Sequence, residues 1–396
     1  MKIRLLAVLL IVNSVFIVNK VFGQSDTLTI TRTYHVGFFA PLYLDSVFTA
    51  DGKFRYKQGM PKLIMPGVDF MNGVQIALDS LKAPHNVHAY IYDTKSYQKP
   101  VEQLIKNKEL DSLHLIIGSV KDIEYKQLAD FALAKNIPFI SATYPNDGGI
   151  TNNPFMVLLN STLKAHCEAI FSFALQNHGT DKVLLIRKKG FQEDKIASYF
   201  ETINKPDGKP LLDIQTVNVE LITPAVLQKV LDSNRQAIII GASLDEKFAT
   251  ELTSACYKLS ENYGLTLVGM PNWDGFKTLL KKDEFTGFPI YFTTPYYNSK
   301  TDDYSRILMN GYGKKYKGKP SDMVFKGFES ANLFINLLLA YPHGLLNHLN
   351  DKKYQVITDY NFLPVTITKG NPIPDYFENK RLYFIKILNG TTSRAW

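Results

Sequence analysis

The sequence predicts an α/β protein with two doubly wound lobes, each built on a parallel sheet. The chain has 396 residues, which is more than one compact core usually holds. Short apolar segments typical of strands alternate with segments of helical spacing, and this alternation stops near residues 153–160 and then starts again. Strands that alternate with helices form parallel sheets covered on both faces. Two such series in succession therefore predict two lobes.

The first series of elements begins at the apolar segment 34–41, which predicts a buried strand. A helix is predicted to follow over residues 67–81, because Val68, Met71 and Val74 recur at helical spacing. This series predicts the first lobe. Its remaining elements are strands 88–94, 113–119 and 137–141, a short helix 101–106 and a helix that begins at Asp122.

The second series opens with a helix over residues 162–179, where Cys167, Ile170 and Phe171 share one face. Thr223 and Pro224 predict another helix start, with a hydroxyl cap followed by proline at the first helical position. This series predicts the second lobe. Its other strands are 182–188, 213–220, 236–243 and 265–271, and its other helices are 193–203 and 245–263.

The first 23 residues have the order of a secretory signal peptide. Lys2 and Arg4 precede the apolar run 5–18, and the small residue Gly23 lies at a position suited to cleavage. The alternative is a membrane anchor, but polar residues interrupt the run, which is short for a bilayer span. We therefore expect residues 1–23 to be removed on export, which leaves a soluble periplasmic or secreted protein.

Composition and charge argue against several other classes of protein. Hydrophobic residues make up 45% of the chain and charged residues 21%, as in an ordinary globular protein. The net charge of +8 comes from scattered residues, without a basic block for nucleic acid or an anionic membrane. Cys167 and Cys256 could form one disulfide, although their place on apolar helix faces favours two buried thiols. The sequence has no metal-site pattern and calls for no cofactor.

The common catalytic motifs are missing from the sequence. The nearest match to the nucleophile elbow G-x-S-x-G is GASLD at 241–245, where Asp245 replaces the second glycine. SYQK at 96–99 fits S-x-x-K, but neither partner motif of that site occurs. No glycine-rich phosphate loop follows a strand. The sequence therefore predicts a protein that is not an enzyme.

Small hydroxyl residues end two neighbouring strands of the first series. Ser119 follows one apolar run, and Ser141 and Thr143 stand at the end of the next. In open α/β sheets, ligands bind beyond the carboxyl ends of the strands, where such hydroxyls can meet a polar ligand. The alternative is that Ser119 and Thr143 only cap the elements that follow, as such residues often do. The pattern leaves both interpretations open.

Several aromatic residues also lie just beyond predicted strands. Tyr43 follows the first strand, Trp273 follows the segment 265–271, and Tyr296 follows the segment 290–295. Rings at such positions can sandwich a ligand in a cleft between lobes. They can also pack the hinge and the rims of the lobes, so two interpretations remain here as well.

The order and spacing of several segments resemble a type I periplasmic binding protein, the fold of leucine/isoleucine/valine-binding proteins. The resemblance covers nearly the whole chain after the first 23 residues, and GMPNWDGF is typical of a branch often linked to LysM repeats. It implies two α/β lobes joined by several hinge crossings. The segments are HVGFFAPLYLD, GVDFMNGVQIALDSL, IPFISATYP, YFTTPYY and YKGKPSDMVFKGFESANLFINLLL.

Breaks in the strand–helix pattern near residues 153–160 and 292–297 set the expected limits of the lobes. The strand-like segments 361–369 and 383–389 are both expected to return to the second lobe. Each lobe is then built from two separate stretches of chain. The expected limits are 24–155 with about 293–345 for the first lobe, and 156–292 with about 346–396 for the second.

The resemblance also implies where a ligand is held. In amino-acid-binding members, the loops that match the ends of the two strands hold the α-carboxylate and α-amino groups of the ligand. The second lobe departs from the pattern, because Phe191 stands at the position of the usual ring residue and Asp274 is only a loose counterpart of the usual acidic residue. The expected ligand-binding residues are Tyr43, Ser119, Ser141, Ala142, Thr143, Phe191, Trp273, Asp274 and Tyr296.

Two classes of function follow from this resemblance. The first is an exported, non-enzymatic binding protein whose lobes close on a small polar solute, such as an amino acid, either for an ABC transporter or as an envelope sensor. The alternative is a protein-interaction module of the cell envelope that kept the fold and lost its small-molecule ligand. The expected partners are therefore a small polar ligand and a membrane transporter or envelope protein, and no nucleic acid.

Overall fold

The computed structural model describes residues 32–57, 59–81, 86–367 and 370–395. In this part of the chain, two seven-stranded sheets form the centres of two lobes. The predicted signal peptide, residues 1–23, lies outside the described residues. Most neighbouring strands are parallel and helices connect them, which confirms the predicted α/β class with two doubly wound lobes.

The sheet of the first lobe draws its strands from both ends of the chain. They are β1 (Tyr34–Ala40), β2 (Val87–Asp93), β3 (Leu115–Gly118), β4 (Phe139–Ser141), β5 (Met156–Leu158), β11 (Phe362–Val365) and β12 (Tyr376–Asn379). Their order across the sheet is β11-β12-β5-β4-β3-β1-β2. Only β11 and β12 pair in antiparallel fashion; the other neighbours are parallel.

The sheet of the second lobe has the same general plan. Its strands are β6 (Lys182–Arg187), β7 (Ile214–Asn218), β8 (Ala237–Gly241), β9 (Leu265–Val268), β10 (Ile290–Thr294), β13 (Tyr383–Leu388) and β14 (Thr391–Arg394). Their order is β14-β13-β10-β9-β8-β6-β7. The strand β13 runs antiparallel to both of its neighbours, whereas the pairs from β10 to β7 are parallel.

The helices cover the faces of both sheets. Thr162 caps the fifth helix and Thr223 the seventh, because each threonine side chain accepts a hydrogen bond from a backbone N–H three residues later. Short 3-10 helices cover residues 271–275, 345–348 and 352–354. The α-helices are α1 (Leu44–Val47), α2 (Met65–Asp79), α3 (Val101–Lys106), α4 (Asp122–Lys135), α5 (Leu163–Asn177), α6 (Phe191–Asn204), α7 (Pro224–Gln228), α8 (Glu246–Leu259), α9 (Asp303–Tyr316) and α10 (Asp322–Ala340).

The helices α2 and α10 pack unusually close together in the first lobe. A methyl group at Gly73 of α2 would collide with the carbonyl oxygen of Val324, and one at Gly327 of α10 would collide with that of Phe70. Two glycines that face each other's helix therefore allow the backbones to touch. The helix α10 is long and apolar enough to span a membrane, but 67% of that stretch is buried inside the lobe, as expected for a core helix.

The two terminal strand segments go to different lobes, which differs from the limits expected from the pattern. Phe362–Val365 pairs with Tyr376–Asn379 at the edge of the first sheet, whereas Tyr383–Leu388 joins the second sheet. Pro364 fits an edge position, because proline cannot donate a hydrogen bond to a neighbouring strand. The stretch that holds β11 and β12 therefore belongs to the first lobe, as does β5, and only the last strands return to the second.

Buried polar contacts join the chain segments that cross between the lobes. The Ser161 hydroxyl donates to the carbonyl oxygen of Asn379 at 2.6 Å, and the backbone N–H of Thr162 donates to a Glu378 carboxylate oxygen at 2.7 Å. Lys380 pairs with Glu378 at 2.6 Å and with Glu168 at 2.9 Å. Because Glu378 is 1% exposed, its bond with Thr162 is shielded from water, and together with the Ser161 bond it holds two crossings against each other.

Both cysteines are free and buried in the second lobe. Cys167 lies in α5 and Cys256 in α8, and burial raises the pKa of each thiol. The two thiols are thus part of the apolar core, the arrangement that their position on helix faces favoured.

The glycine at the contact of α2 with α10 gives a first testable prediction. We expect Gly327→Ala to lower the free energy of unfolding by about 1–3 kcal/mol, because the added methyl group must push the two helices apart. The matched control is Gly311→Ala in α9, where the added group meets open space. That change should be neutral or stabilise by up to about 1 kcal/mol. Urea unfolding of both variants measures the difference, and equal effects would contradict the prediction.

Candidate functional site

A cavity of about 770 Å³ lies between the two lobes, at the carboxyl ends of strands from both sheets. The two lobes and the crossings between them supply polar and aromatic side chains to its walls. Residues from the first lobe include Tyr144, Asp147, Lys326 and Tyr376, and those from the second lobe and the crossings include Asn160, Lys164, His166, Gln192, Lys195, Asn272, Asp274 and Tyr296.

The strand-end hydroxyls that were expected to hold a ligand bond to each other instead. The Ser119 and Thr143 hydroxyl oxygens lie 3.0 Å apart, and Ser119 is only 8% exposed. Ser141 and Ala142 are fully buried. The strands β3 and β4 therefore bring these residues together, as their places in the sequence indicated, but none of them lines the cavity.

Tyr296 forms a hydrogen bond with a main-chain oxygen next to these hydroxyls. Its phenol donates a hydrogen bond of 2.6 Å to the carbonyl oxygen of Ala142, which joins a hinge crossing to the end of β4. Burial raises the pKa of this phenol well above the usual value, so it stays protonated and able to donate. Tyr296 and Asp274 are the two expected ligand-binding residues that line the cavity.

Trp273 packs inside the second lobe and has no place on the cavity wall. The indole is fully buried, and its N–H donates to the carbonyl oxygen of Ser243 at 3.0 Å. A methyl group at Gly241 or at Gly269 would collide with the ring, so both strand ends need glycine to make room for it. The side chain thus anchors the turn 271–275, which carries Asp274 to the cavity.

Tyr43 and Phe191 also lie outside the cavity lining. Tyr43 precedes α1 with a left-handed backbone (φ 54°), and its N–H donates to an Asp93 carboxylate oxygen at 3.0 Å. Phe191 opens α6 and is 81% exposed, whereas the next residue, Gln192, lines the cavity. The ring expected at Phe191 is therefore on the outer surface of this helix start.

His166 is a cavity residue that the sequence analysis did not identify. Its Nδ1 lies 2.7 Å from the Thr293 hydroxyl oxygen, which links the first turn of α5 to the end of β10. Burial, with a smaller effect of Lys380, lowers the pKa of His166 to about 3. The ring is therefore neutral at physiological pH, and it serves as a hydrogen-bonding group rather than a cation.

Lys326 is a second cavity residue that the sequence analysis missed. Its Nζ lies 4.4 Å from the centre of the Tyr296 ring, on the first-lobe side of the cleft. Burial lowers the pKa of this lysine, and the nearby carboxylates of Asp322, Asp274 and Glu329 oppose that effect. A lysine within the apolar segment MVFKGFESANLF is unusual for a core helix, and this is a signal that could have identified it.

Glu329 lies one turn after Lys326 and is buried in the same helix. Its two carboxylate oxygens accept hydrogen bonds from the Thr358 N–H at 2.6 Å and from the Thr358 hydroxyl at 3.0 Å. Burial raises the pKa of Glu329 to about 7, although these hydrogen bonds and Lys326 oppose the shift. The folded protein therefore binds a proton at Glu329 more strongly than the unfolded chain does.

This raised pKa predicts a dependence of stability on pH. Between the ordinary carboxyl pKa and about 7, the folded state holds more protons at Glu329 than the unfolded state, so the contribution of Glu329 to the free energy of unfolding falls as the pH rises through that window. The lowered pKa of His166 contributes in the opposite direction, so the effect of Glu329 is read as a difference between two proteins. The loss should be at most a few kcal/mol. Glu329→Gln stays neutral and keeps His166, so the free energy of unfolding of the wild type minus that of the variant should fall between pH 5 and about pH 7 and then stay constant. Urea unfolding across this range measures it; identical slopes in the two proteins would contradict the prediction.

The charges on the cavity walls are of both signs. Asp147 and Asp274 are acidic, whereas Lys164, Lys195 and Lys326 are basic. Asp147 already accepts a hydrogen bond from the Tyr376 phenol at 3.1 Å. Such walls suit a polar solute that carries hydrogen-bonding groups or charges, and the two lobes can contact it from opposite sides.

The chain belongs to the periplasmic binding protein family. The family model described as "Periplasmic binding protein" matches residues 67–344, which is well over half of the chain. This match confirms the resemblance to type I periplasmic binding proteins. The fold and the cavity are thus those of a family of binding proteins, not of a family of enzymes. A search of curated proteins finds no match.

Several solved structures share this fold. A Rhodospirillum rubrum protein described as a branched-chain amino acid ABC transporter has a TM-score of 0.66 at 13% identity, with 91% of this chain and 99% of that chain covered. A branched-chain amino acid ABC transporter periplasmic ligand-binding protein from Burkholderia xenovorans gives 0.59 at 13% identity, covering 92% and 95%. An ABC transporter substrate-binding protein from Desulfitobacterium hafniense, in complex with leucine, gives 0.55 at 12% identity, covering 92% and 100%.

The hydroxyl pair at the strand ends can now be tested for its role. Because Ser119 and Thr143 bond to each other and do not line the cavity, we expect Ser119→Ala and Thr143→Ala each to lower the free energy of unfolding by about 0.5–1.5 kcal/mol. The affinity for a solute in the cleft should change by less than about threefold. Equilibrium unfolding measures the change in stability, and titration calorimetry measures the change in affinity. Unchanged stability with tenfold weaker binding would instead mean that the hydroxyls hold the ligand.

Proposed function

We propose that this protein is an exported substrate-binding protein whose lobes close on a small polar solute, such as an amino acid, and deliver it to an ABC transporter. The observation that carries the proposal is the cavity of about 770 Å³ between the lobes, lined by polar residues of both. Ligand sites in open α/β folds lie at this position, beyond the carboxyl ends of the strands.

The relatives support this class of solute. The Burkholderia xenovorans protein is described as a branched-chain amino acid periplasmic ligand-binding protein, and the Desulfitobacterium hafniense protein was solved with leucine. At 12–13% identity the likeness is one of fold, so the particular amino acid does not carry over. The charged and amide groups on the walls favour a solute more polar than leucine alone.

Two contacts at the hinge support closure of the lobes. The crossings at Ser161–Thr162 and Glu378–Lys380 are short and are bonded to each other through buried polar groups. A hinge of this kind keeps the crossings in place while the lobes rotate, because the bonds lie between crossings rather than across the cleft.

The solute can be identified by releasing it from native protein. Protein purified without dialysis is denatured, and mass spectrometry should find a small polar molecule in stoichiometric amount. The pure compound should then stabilise the folded state by about 2.7 kcal/mol at a hundredfold excess over its Kd, because it binds only the folded protein. The twenty L-amino acids serve as a parallel panel in thermal unfolding.

The alternative function is a protein-interaction module that has kept the fold without its solute. It predicts that neither the released fraction nor the amino acid panel yields a ligand, and that the melting temperature stays constant throughout. That pair of results would contradict a substrate-binding role.

Export is a separate part of the proposal. The charged, apolar and small order of residues 1–23 predicts cleavage after Gly23. N-terminal sequencing of native protein from the periplasmic or secreted fraction should start near Gln24. A native protein that begins at Met1 and stays in the cytosolic fraction would contradict export.

A further inference from the structure

The ammonium group of Lys326 lies at the cavity without an anionic partner. Within the described residues, its Nζ donates no hydrogen bond and forms no ion pair within 4.0 Å; it lies 4.4 Å from the centre of the Tyr296 ring. The side chain rises from α10, a core helix held close to α2, so its position is set by packing. Lys326 is thus a partly buried cation that faces a cavity.

Each carboxylate near Lys326 either bonds to another residue or lies too far away to contact the Lys326 ammonium group. Glu329 is bonded to Thr358 through both oxygens. Asp322 is 84% exposed at its side chain and lies 3.5 Å from the Lys300 ammonium. The third, Asp274, stands on the opposite lobe and forms no ion pair with Lys326 within the 4.0 Å limit. These carboxylates stabilise the charged form of Lys326 by electrostatic attraction, but none of them contacts its ammonium group.

The other lysines at the cavity have an environment of a different kind. Lys164 pairs with Glu168 of its own helix at 4.0 Å, and its side chain is 45% exposed. Lys195 is exposed on α6 and lies near the ring of Tyr199. Lys164 and Lys195 are more open to water, whereas Lys326 is only partly exposed and has no anionic partner. A partly desolvated cation of this kind is stabilised when a counter-charge meets it.

We propose that Lys326 binds an anionic group of the solute, most simply a carboxylate, and so makes an acidic or zwitterionic solute the class that this cleft accepts. The anion would lie in the cavity beside Tyr296, whose phenol donates to the carbonyl oxygen of Ala142. It would not lie at the hydroxyls of Ser119 and Thr143, which bond to each other. The inference rests on the proposed function, because it assigns the chemistry of the same cleft.

The unpaired charge has a consequence for the protein without ligand. If the role of Lys326 is to meet an anion, the empty cleft carries an unpaired charge that the fold does not need. Lys326→Met keeps the length of the stem and a contact with the Tyr296 ring but removes the charge. Its melting temperature without ligand should therefore equal or exceed that of the wild type.

The test compares the mature full-length protein with three variants in buffer free of phosphate and carboxylates. Lys326→Met removes the charge, Lys326→Arg keeps a cation, and Lys126→Met makes the same change on an exposed face of α4, outside the cavity. The probes are the twenty L-amino acids, sodium acetate, sodium succinate and sodium phosphate. For each amino acid that binds, the corresponding amide is included, since it lacks the anionic group. Thermal unfolding screens the probes and titration calorimetry gives Kd.

We expect at least one anionic or zwitterionic probe to bind the wild type, and Lys326→Met to weaken it by about 10- to 100-fold. Lys326→Arg should stay within a few-fold of the wild type, and Lys126→Met should not differ from it. The amide of a bound amino acid should bind wild type and Lys326→Met alike. Phosphate binding without carboxylate binding would assign the site to a phosphorylated solute.

Three results would overturn the inference. Equal affinity of a probe for wild type and Lys326→Met would leave the substrate-binding role intact but remove Lys326 from it. A released solute that is neutral or purely cationic would do the same. A lower melting temperature of ligand-free Lys326→Met, with no anionic probe bound by the wild type, would mean that the lysine holds the fold through Tyr296 and Asp274.

Discussion

The close contact between α2 and α10 is the constraint on which the candidate site depends. Gly73 and Gly327 let the two backbones touch, and this fixes α10 against the first lobe. The same helix presents Lys326 to the cleft and Glu329 to Thr358. Through Lys326 and Tyr296, the packing of one core helix is connected to the end of β4. The proposed binding chemistry and the packing of the core therefore involve the same helix.

The strands and helices could be predicted from sequence because their patterns are local. The segments Leu115–Gly118 and Ala237–Gly241 are fully buried, and their apolar runs are what parallel strands covered on both faces require. The site was harder to predict, because a residue's place after a strand does not fix where its side chain goes. Trp273 turns into the second lobe, where Gly241 and Gly269 leave room for its ring. Those glycines are distant in sequence from one another, and the space they create is visible only in the fold.

The partners of the last strands show a similar limit. Asn379 ends β12 in the first sheet, and Tyr383 begins β13 in the second, so three residues separate the two lobes at this crossing. Local pattern identifies both strands but cannot say which sheet each one joins. That choice is made by long-range contacts, such as the bond from Ser161 to the Asn379 carbonyl. The contacts of the strand-end residues are also long-range, since Ser119 bonds to Thr143 and Tyr296 reaches Ala142 from 154 residues away in the chain.

The burial of both thiols means that they can be oxidised only before the protein folds. Cys167 and Cys256 are 0% exposed, so in the native state no oxidant, metal or second thiol reaches either sulfur. Before the chain folds, the same groups are open to the surroundings. Their oxidation would record how long the chain stays unfolded, and a sulfenic or disulfide form would no longer fit the core. The native fold thus contains two free thiols, and folding itself is what shields them.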